Sequence, residues 1–168
     1  MSTPQNQTGI SIACEADVPG IHALMMENLA ARGGSLSASF SPEQIVAMLR
    51  AMPMVIARHE GEVIGFLMTS TCAGSREVPI LRTMLEAYPG RDDAYVYGPI
   101  CVAAGHRGQG LAQAMFAELR RQLPGREGIL FVRRDNAASL RAHARMNLQE
   151  VACFTFRDSE HAVFAYIG

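Results

Sequence analysis

Stretches with the side-chain alternation of a strand take turns along this chain with stretches in which apolar residues return every three or four positions, the spacing of a helix. Ile10 to Ala13 predicts an opening strand. Asp17, with Pro19 just beyond it, predicts the N-cap of a helix running to about Ala31, and Gly33 and Gly34 predict its end. Ser41-Pro42-Glu43-Gln44 is a capping box with proline at the first helical position, so a second helix runs from there to about Met52. Met54 to Arg58 and Val63 to Thr71 then predict a hairpin around His59-Glu60-Gly61-Glu62.

The connection from Cys72 to Asp93 is too long for a turn. It holds an apolar helical patch at Ile80, Leu81, Met84 and Leu85, closed by Tyr88-Pro89-Gly90, which predicts an extra helix. Ala94 to Ala103 follows as a strand, and Gln109 to Leu123 as a helix stopped by Pro124-Gly125. Ile129 to Val132 is a short buried strand and Asn136 to Met146 a helix. Glu150 to Phe156 and Ala162 to Ile167 make a last pair of strands around Arg157-Asp158-Ser159-Glu160. The order β-α-α-β-β-β-α-β-α-β-β, with the extra helix before the strand at Ala94, implies an α/β fold: a mixed sheet flanked by helices.

Composition narrows the function classes. At 168 residues, without repeats or a linker, the chain is expected to be one domain over 1–168, with residues 1–9 a polar, flexible tail. Lys and Arg number 15 against 16 Asp and Glu, a formal charge of -1, which leaves no footprint for nucleic acid or an anionic membrane. Cys14, Cys72, Cys101 and Cys153 are far apart, with no C-x-x-C pair to suggest a metal or redox motif, and read as reduced core thiols. No apolar run is long enough to span a membrane, and MSTPQNQTG lacks the order of a signal peptide, so a cytoplasmic location is expected. The ten methionines, among them Met25, Met26, Met48, Met52 and Met54, read as adaptable core.

The candidate chemistry lies between Tyr97 and Leu123. A strand runs into Gly105, Gly108 and Gly110 and straight on into the helix marked by Leu111, Met115, Phe116 and Leu119. The first turn of a helix has N–H groups without intrahelical partners, and glycines let a phosphate come close to them. Arg107 adds a positive charge beside them. The alternative reading of this turn is a tight connection with no ligand. A nucleoside-triphosphate loop is excluded by the missing Gly-Lys-Ser/Thr, and a dinucleotide fold by the lack of an initial β-α-β unit.

Ile100-Cys101-Val102, followed by Arg107-Gly108-Gln109-Gly110-Leu111-Ala112, resembles the signature of the GNAT superfamily of acyl-CoA-dependent N-acetyltransferases, whose core is matched by Arg107, Gly110 and Ala112. A second stretch, Asn136 through Ser139 and His143 to Leu148, is similar to that family's next conserved element. The resemblance covers roughly Ile10 to Ile167 and implies a GNAT-like, mostly antiparallel sheet. It also implies acetyl-CoA as acyl donor, a small-molecule or peptide amine as acceptor, no metal, and a homodimer. The backbone of Ile100 and Val102 would hold the pantetheine arm, the N–H groups of Arg107, Gly108, Gln109, Gly110, Leu111 and Ala112 the pyrophosphate, and Asn136 and Ser139 the neighbourhood of the pantetheine. His143 stands where the family often has a tyrosine that protonates the departing thiolate.

Two positions depart from the family. Asn147 replaces a glycine after the second helix, where asparagine is the best substitute for a left-handed residue. The positions in phase with Val102, namely Val96, Gly98 and Ile100, offer no base. Tyr97, next to the Gly98-Pro99 kink, is one candidate for that role; Glu77, Asp93, His161 and a water chain are others. His143 has two readings, a catalytic acid or a half-buried helix residue. The expected activity is direct transfer of acetyl from acetyl-CoA to a primary amine in a ternary complex. The competing reading is a non-catalytic acyl-CoA-binding regulatory module with a degenerate acceptor site.

Overall fold

The computed structural model describes residues 8–36 and 38–168, so the expected tail lies outside the described residues as far as residue 7. In chain order the elements are β1 (Gly9–Ile12), α1 (Val18–Glu27), α2 (Pro42–Ala51), β2 (Val55–His59), β3 (Glu62–Thr71), α3 (Cys72–Ser75) and α4 (Pro79–Ala87). They continue with β4 (Tyr95–Val102), α5 (Leu111–Gln122), β5 (Glu127–Arg133), α6 (Ala137–Ala144), β6 (Gln149–Phe156) and β7 (Ser159–Ile167). The seven strands form an α/β sheet in the order β1-β2-β3-β4-β5-β7-β6. Pairs β1–β2, β2–β3, β5–β7 and β6–β7 are antiparallel, and β4–β5 is parallel. The chain divides into two compact units. One comprises the described residues up to Met68 with Pro99–Leu119, the other Thr69–Gly98 with Arg120–Gly168.

In the first unit, α1 and α2 cover a core of Ile21, Met25, Ile45, Met54, Ile56, Phe66 and Met68, all with no exposed surface. Methionine is thus core material here, as its unbranched shape suits. Ser41 caps α2 in the expected way: its Oγ accepts from Gln44 N at 3.2 Å, and Gln44 Oε1 accepts from Ser41 N at 2.8 Å. Asp17 holds the N-cap position of α1, with Pro19 in the first turn as expected, but its side chain makes no cap hydrogen bond. Its carboxylate accepts from Cys14 N at 2.8 Å, closing the short turn before the helix, and pairs with Arg58. Helix α1 also stops at Glu27 rather than near Ala31. Asn28 turns the chain back, and Leu29 pairs with Leu36 in an isolated bridge. Gly33, at φ +84, does stop a helical turn, but it is a separate 3-10 turn, Ala30–Arg32, inside that return loop.

In the second unit, β7 pairs along its length with β5, from Glu127↔Ile167 to Arg133↔His161. On one side, Met84 and Leu85 of α4 pack on Ala94, Val96, Ile129 and Val163. Tyr95, Tyr97 and Tyr166 form a separate cluster in which the Tyr95 and Tyr166 hydroxyls meet at 2.5 Å and both Tyr95 and Tyr97 stand edge-on to Tyr166. Gly128 is what makes room for it, since a Cβ there would fall 2.3 Å from the Tyr166 ring. Asn147 has φ +55, the left-handed conformation expected after α6. The β6–β7 turn uses two more such residues, Arg157 and Asp158.

The cysteines correct the sequence reading. Cys101 alone is buried, whereas Cys72 is intermediate and Cys14 and Cys153 are exposed. An apolar run on an outer strand has one face in solvent, and Cys153 sits on that face of β6.

Candidate active site

Strand β4 carries the candidate site across a change in backbone direction. Its ladder with β5 holds Tyr95↔Gly128 and Val96↔Ile129, and two residues further on Gly98 has φ +107, followed by Pro99. Proline cannot donate to a ladder, and a positive φ is open to glycine at little cost, so the pairing ends in a kink set by sequence. Beyond it lie Ile100 and Val102, both half-buried. Between them, Cys101 packs into the first core, where burial pushes its thiol up to about 11.

From Val102 the chain makes one 3-10 turn, Ala104–His106, and reaches α5 through Arg107, Gly108, Gln109 and Gly110. Gly108 and Gly110 both have φ +76. That conformation keeps Gly110 outside the helix, which is why α5 starts at Leu111 and not at Gln109; the first helical bond is Ala114 N to Gly110 O at 3.0 Å. A Cβ built on Gly105 or Gly108 would meet nothing within 4 Å, and one on Gly110 only Gln113 Oε1 at 3.8 Å. The glycines therefore face open space, not packed neighbours. Beside it, the first turn of α5 leaves N–H groups without intrahelical partners at the positive end of a twelve-residue helix. This is a fit for a phosphate or pyrophosphate.

Arg107 does not extend into that space. Its Nη2 donates to Asn28 Oδ1 at 2.8 Å and its Nε to the Val102 carbonyl at 3.1 Å. Asn28 was not singled out from sequence. Its position at the end of an apolar helical pattern marks it as a cap, but nothing local points to Arg107.

In the second unit, Tyr97, Ser139 and His143 converge. The Asn136 Oδ1 accepts from Ser139 N at 3.1 Å and caps α6. His143 Nδ1 lies 2.8 Å from the Ser139 carbonyl, which can only accept, so Nδ1 carries the proton. The Ser139 hydroxyl is also close, 3.2 Å from Nδ1. His143 Nε2 is left as an acceptor, and Tyr97 Oη, 3.2 Å away, donates to it. Met146 Sδ lies 3.8 Å from the same hydroxyl. Both side chains are buried, Tyr97 at 4% and His143 at 5% exposure. Burial raises the Tyr97 phenol well above its ordinary value and lowers the His143 imidazole, against a smaller opposing effect of the Ser139 carbonyl. At neutral pH the pair is neutral, with its mobile proton on Tyr97.

The other candidate bases lie elsewhere. Glu77 and Asp93 are exposed. His161 is buried, stacked on Phe154 and edge-on to Phe131, with Nδ1 3.0 Å from the Ser159 carbonyl. Among the described residues no helix is long and apolar enough to cross a membrane.

The strand order, the kinked β4 and the glycine-opened start of α5 define an α/β protein with a turn suited to an anion. The chain belongs to the acetyltransferase (GNAT) family, whose sequence model matches residues 24–148. No curated protein sequence matches it. Among solved structures it is similar to a GNAT-family acetyltransferase from Streptococcus agalactiae, with a TM-score of 0.71, 17% identity, and coverage of 96% of this chain and 95% of that one. A putative acetyltransferase from Salmonella typhimurium, yncA, solved with acetyl-CoA, gives a TM-score of 0.68 at 18% identity, covering 96% and 94%. A phosphinothricin acetyltransferase from Sinorhizobium meliloti, in complex with acetyl-CoA, gives 0.68 at 18% identity, covering 95% and 88%. The acyl donor that goes with this family is acetyl-CoA.

Proposed function

We propose that this protein transfers an acetyl group from acetyl-CoA to a primary amine by direct attack in a ternary complex. The observation that carries this reading is the open glycine turn at the head of α5, in which Gly108 and Gly110 hold left-handed backbone and face no packed side chain. The N–H groups from Arg107 to Ala112 are suited to the pyrophosphate. The backbone of Ile100 and Val102, past the last paired residue of the β4–β5 ladder, is suited to the pantetheine arm. Asn136 and Ser139, at the head of α6, are carried into this reading by the family resemblance alone.

Acetyl-CoA supplies an activated acetyl group and a leaving thiolate whose conjugate acid has a pKa of about 8.5. The chain's own residues then have two tasks, positioning and control of protons. Tyr97 and His143 hold one mobile proton between Oη and Nε2 in a dry site. A phenol raised by burial is a weaker acid than a thiol, so full transfer from Tyr97 runs uphill; its proposed part is to turn its one O–H from His143 Nε2 to the departing sulfur and hydrogen-bond it there. The buried Cys101, with its thiol raised, is not a nucleophile poised for a covalent intermediate.

The test is a panel of amines assayed by release of free thiol, with initial rates measured against both substrates. Intersecting double-reciprocal lines are expected; parallel lines would contradict direct transfer. Acetyl-CoA binding with no turnover on any amine would favour the non-catalytic module instead. His143→Phe and Tyr97→Phe are expected to lower kcat by about tenfold, the effect of one lost hydrogen bond and less than the roughly hundredfold of a full proton-transfer group. An unchanged rate and pH profile in both variants would remove the pair from the mechanism.

A further inference from the structure

The first unit contains a polar joint that neither the family signature nor the activity explains. Asn28 closes α1 and is only 8% exposed. All its polar groups are engaged. Its N–H donates to Met25 O at 3.1 Å, its Nδ2 to Leu24 O at 2.8 Å, and its carbonyl accepts from Leu36 N at 3.0 Å. The remaining atom, Oδ1, accepts from Arg107 Nη2 at 2.8 Å. The return loop is pressed against the same residue, because a Cβ on Gly34 would sit 2.0 Å from the Asn28 carbonyl oxygen.

Arg107 in turn ties this joint to β4 through the Val102 carbonyl at 3.1 Å. One guanidinium therefore links the end of α1, the end of β4 and the turn that precedes α5. Its neighbours Gly108 and Gly110 have no side chains to fix their course, and glycine loses more freedom on ordering than any other residue. Something outside the turn has to hold it in shape before a phosphate arrives, or the cost of ordering is subtracted from binding.

We propose that Asn28 is a positioning residue for the phosphate-binding turn: acting only through Arg107, it preorganises the turn for the acyl donor. The joint also couples that turn to the loop between α1 and α2. This inference rests on the proposed use of acetyl-CoA, and the experiment separates the two.

The experiment is a double-mutant cycle on the acetyl-CoA dissociation constant, using Asn28→Ala, Arg107→Ala and both together, with Asn28→Asp as the conservative variant. In the wild-type background Asn28→Ala is expected to weaken binding about tenfold, near the low end for losing a hydrogen bond to a charged group. In the Arg107→Ala background the same change is expected to do little more. Asn28→Asp keeps an acceptor for Arg107 but sets a carboxylate oxygen against the Leu24 carbonyl and a negative charge at the end of α1, so it is expected to bind within about twofold of wild type while melting at lower temperature. A cap with no part in binding predicts the opposite: lowered melting temperatures with unchanged affinity, or equal losses in both backgrounds, and either result overturns the proposal. If Asn28→Ala does not fold, Asn28→Asp and Arg107→Ala decide alone, and affinity lost equally in both would overturn it. Wild-type protein that fails to bind acetyl-CoA would overturn the underlying reading, and the inference with it.

Discussion

The Ser139 carbonyl fixes which nitrogen of His143 bears the proton, and that one contact decides what the side chain can do. With the proton on Nδ1, Nε2 accepts from Tyr97 and has none of its own to give. Burial keeps the ring in that state. It also makes stability depend on pH with a definite sign. The folded imidazole has a lowered pKa, so below about pH 6.5 the unfolded chain binds more protons than the native one. The stabilisation is complete above that value and is lost as pH falls through it, levelling off below the folded pKa. His161 is lowered for the same reason and adds to the slope. We expect the melting temperature to drop between about pH 7.5 and pH 5, and His143→Phe to make the drop smaller without abolishing it. An equal drop in the variant would show that His143 is not held neutral.

At the scale of elements, local sequence governs the ends of helices, and the exceptions have physical causes. Ser41-Pro42-Glu43-Gln44 opens α2 as written, because a capping box needs only its own four residues. Asp17 looks equally local, yet its carboxylate is taken by Cys14 N and Arg58, a partner forty-one residues away. Asn147 follows the local rule: at φ +55 it supplies the left-handed residue of the turn between α6 and β6. Asn147→Gly is therefore expected to leave stability within a few tenths of a kcal/mol, and Asn147→Val to cost about 1–2 kcal/mol, read by urea denaturation. Equal stability in the two variants would contradict the backbone argument. Gly128 had no such signal in the sequence, because its reason is the Tyr166 ring, thirty-eight positions further along.

For the whole molecule, the strand and helix order was legible because each element announces itself by period and punctuation, and the phosphate-binding turn because its glycines and its helix are contiguous. What stayed hidden depends on contacts distant in sequence: the Asn28–Arg107 joint spans seventy-nine residues, and the Tyr97–His143 pair forty-six. Pairs of this kind leave no periodic trace. The cysteines show the same limit from the other side, since a run of apolar residues says that a strand is present but not which face is covered. The measurement that tests the central claim most directly is a calorimetric titration of the purified, folded protein with acetyl-CoA, beside Gly110→Asp. Glycine at 110 combines φ +76 with an open approach, so an aspartate there brings both backbone strain and a like charge against the phosphates. Micromolar binding by the wild type, abolished in a variant that stays folded at the assay temperature with its melting temperature lowered by only several degrees, is the predicted result. No binding by the folded wild type, or equal binding by both, would contradict the account.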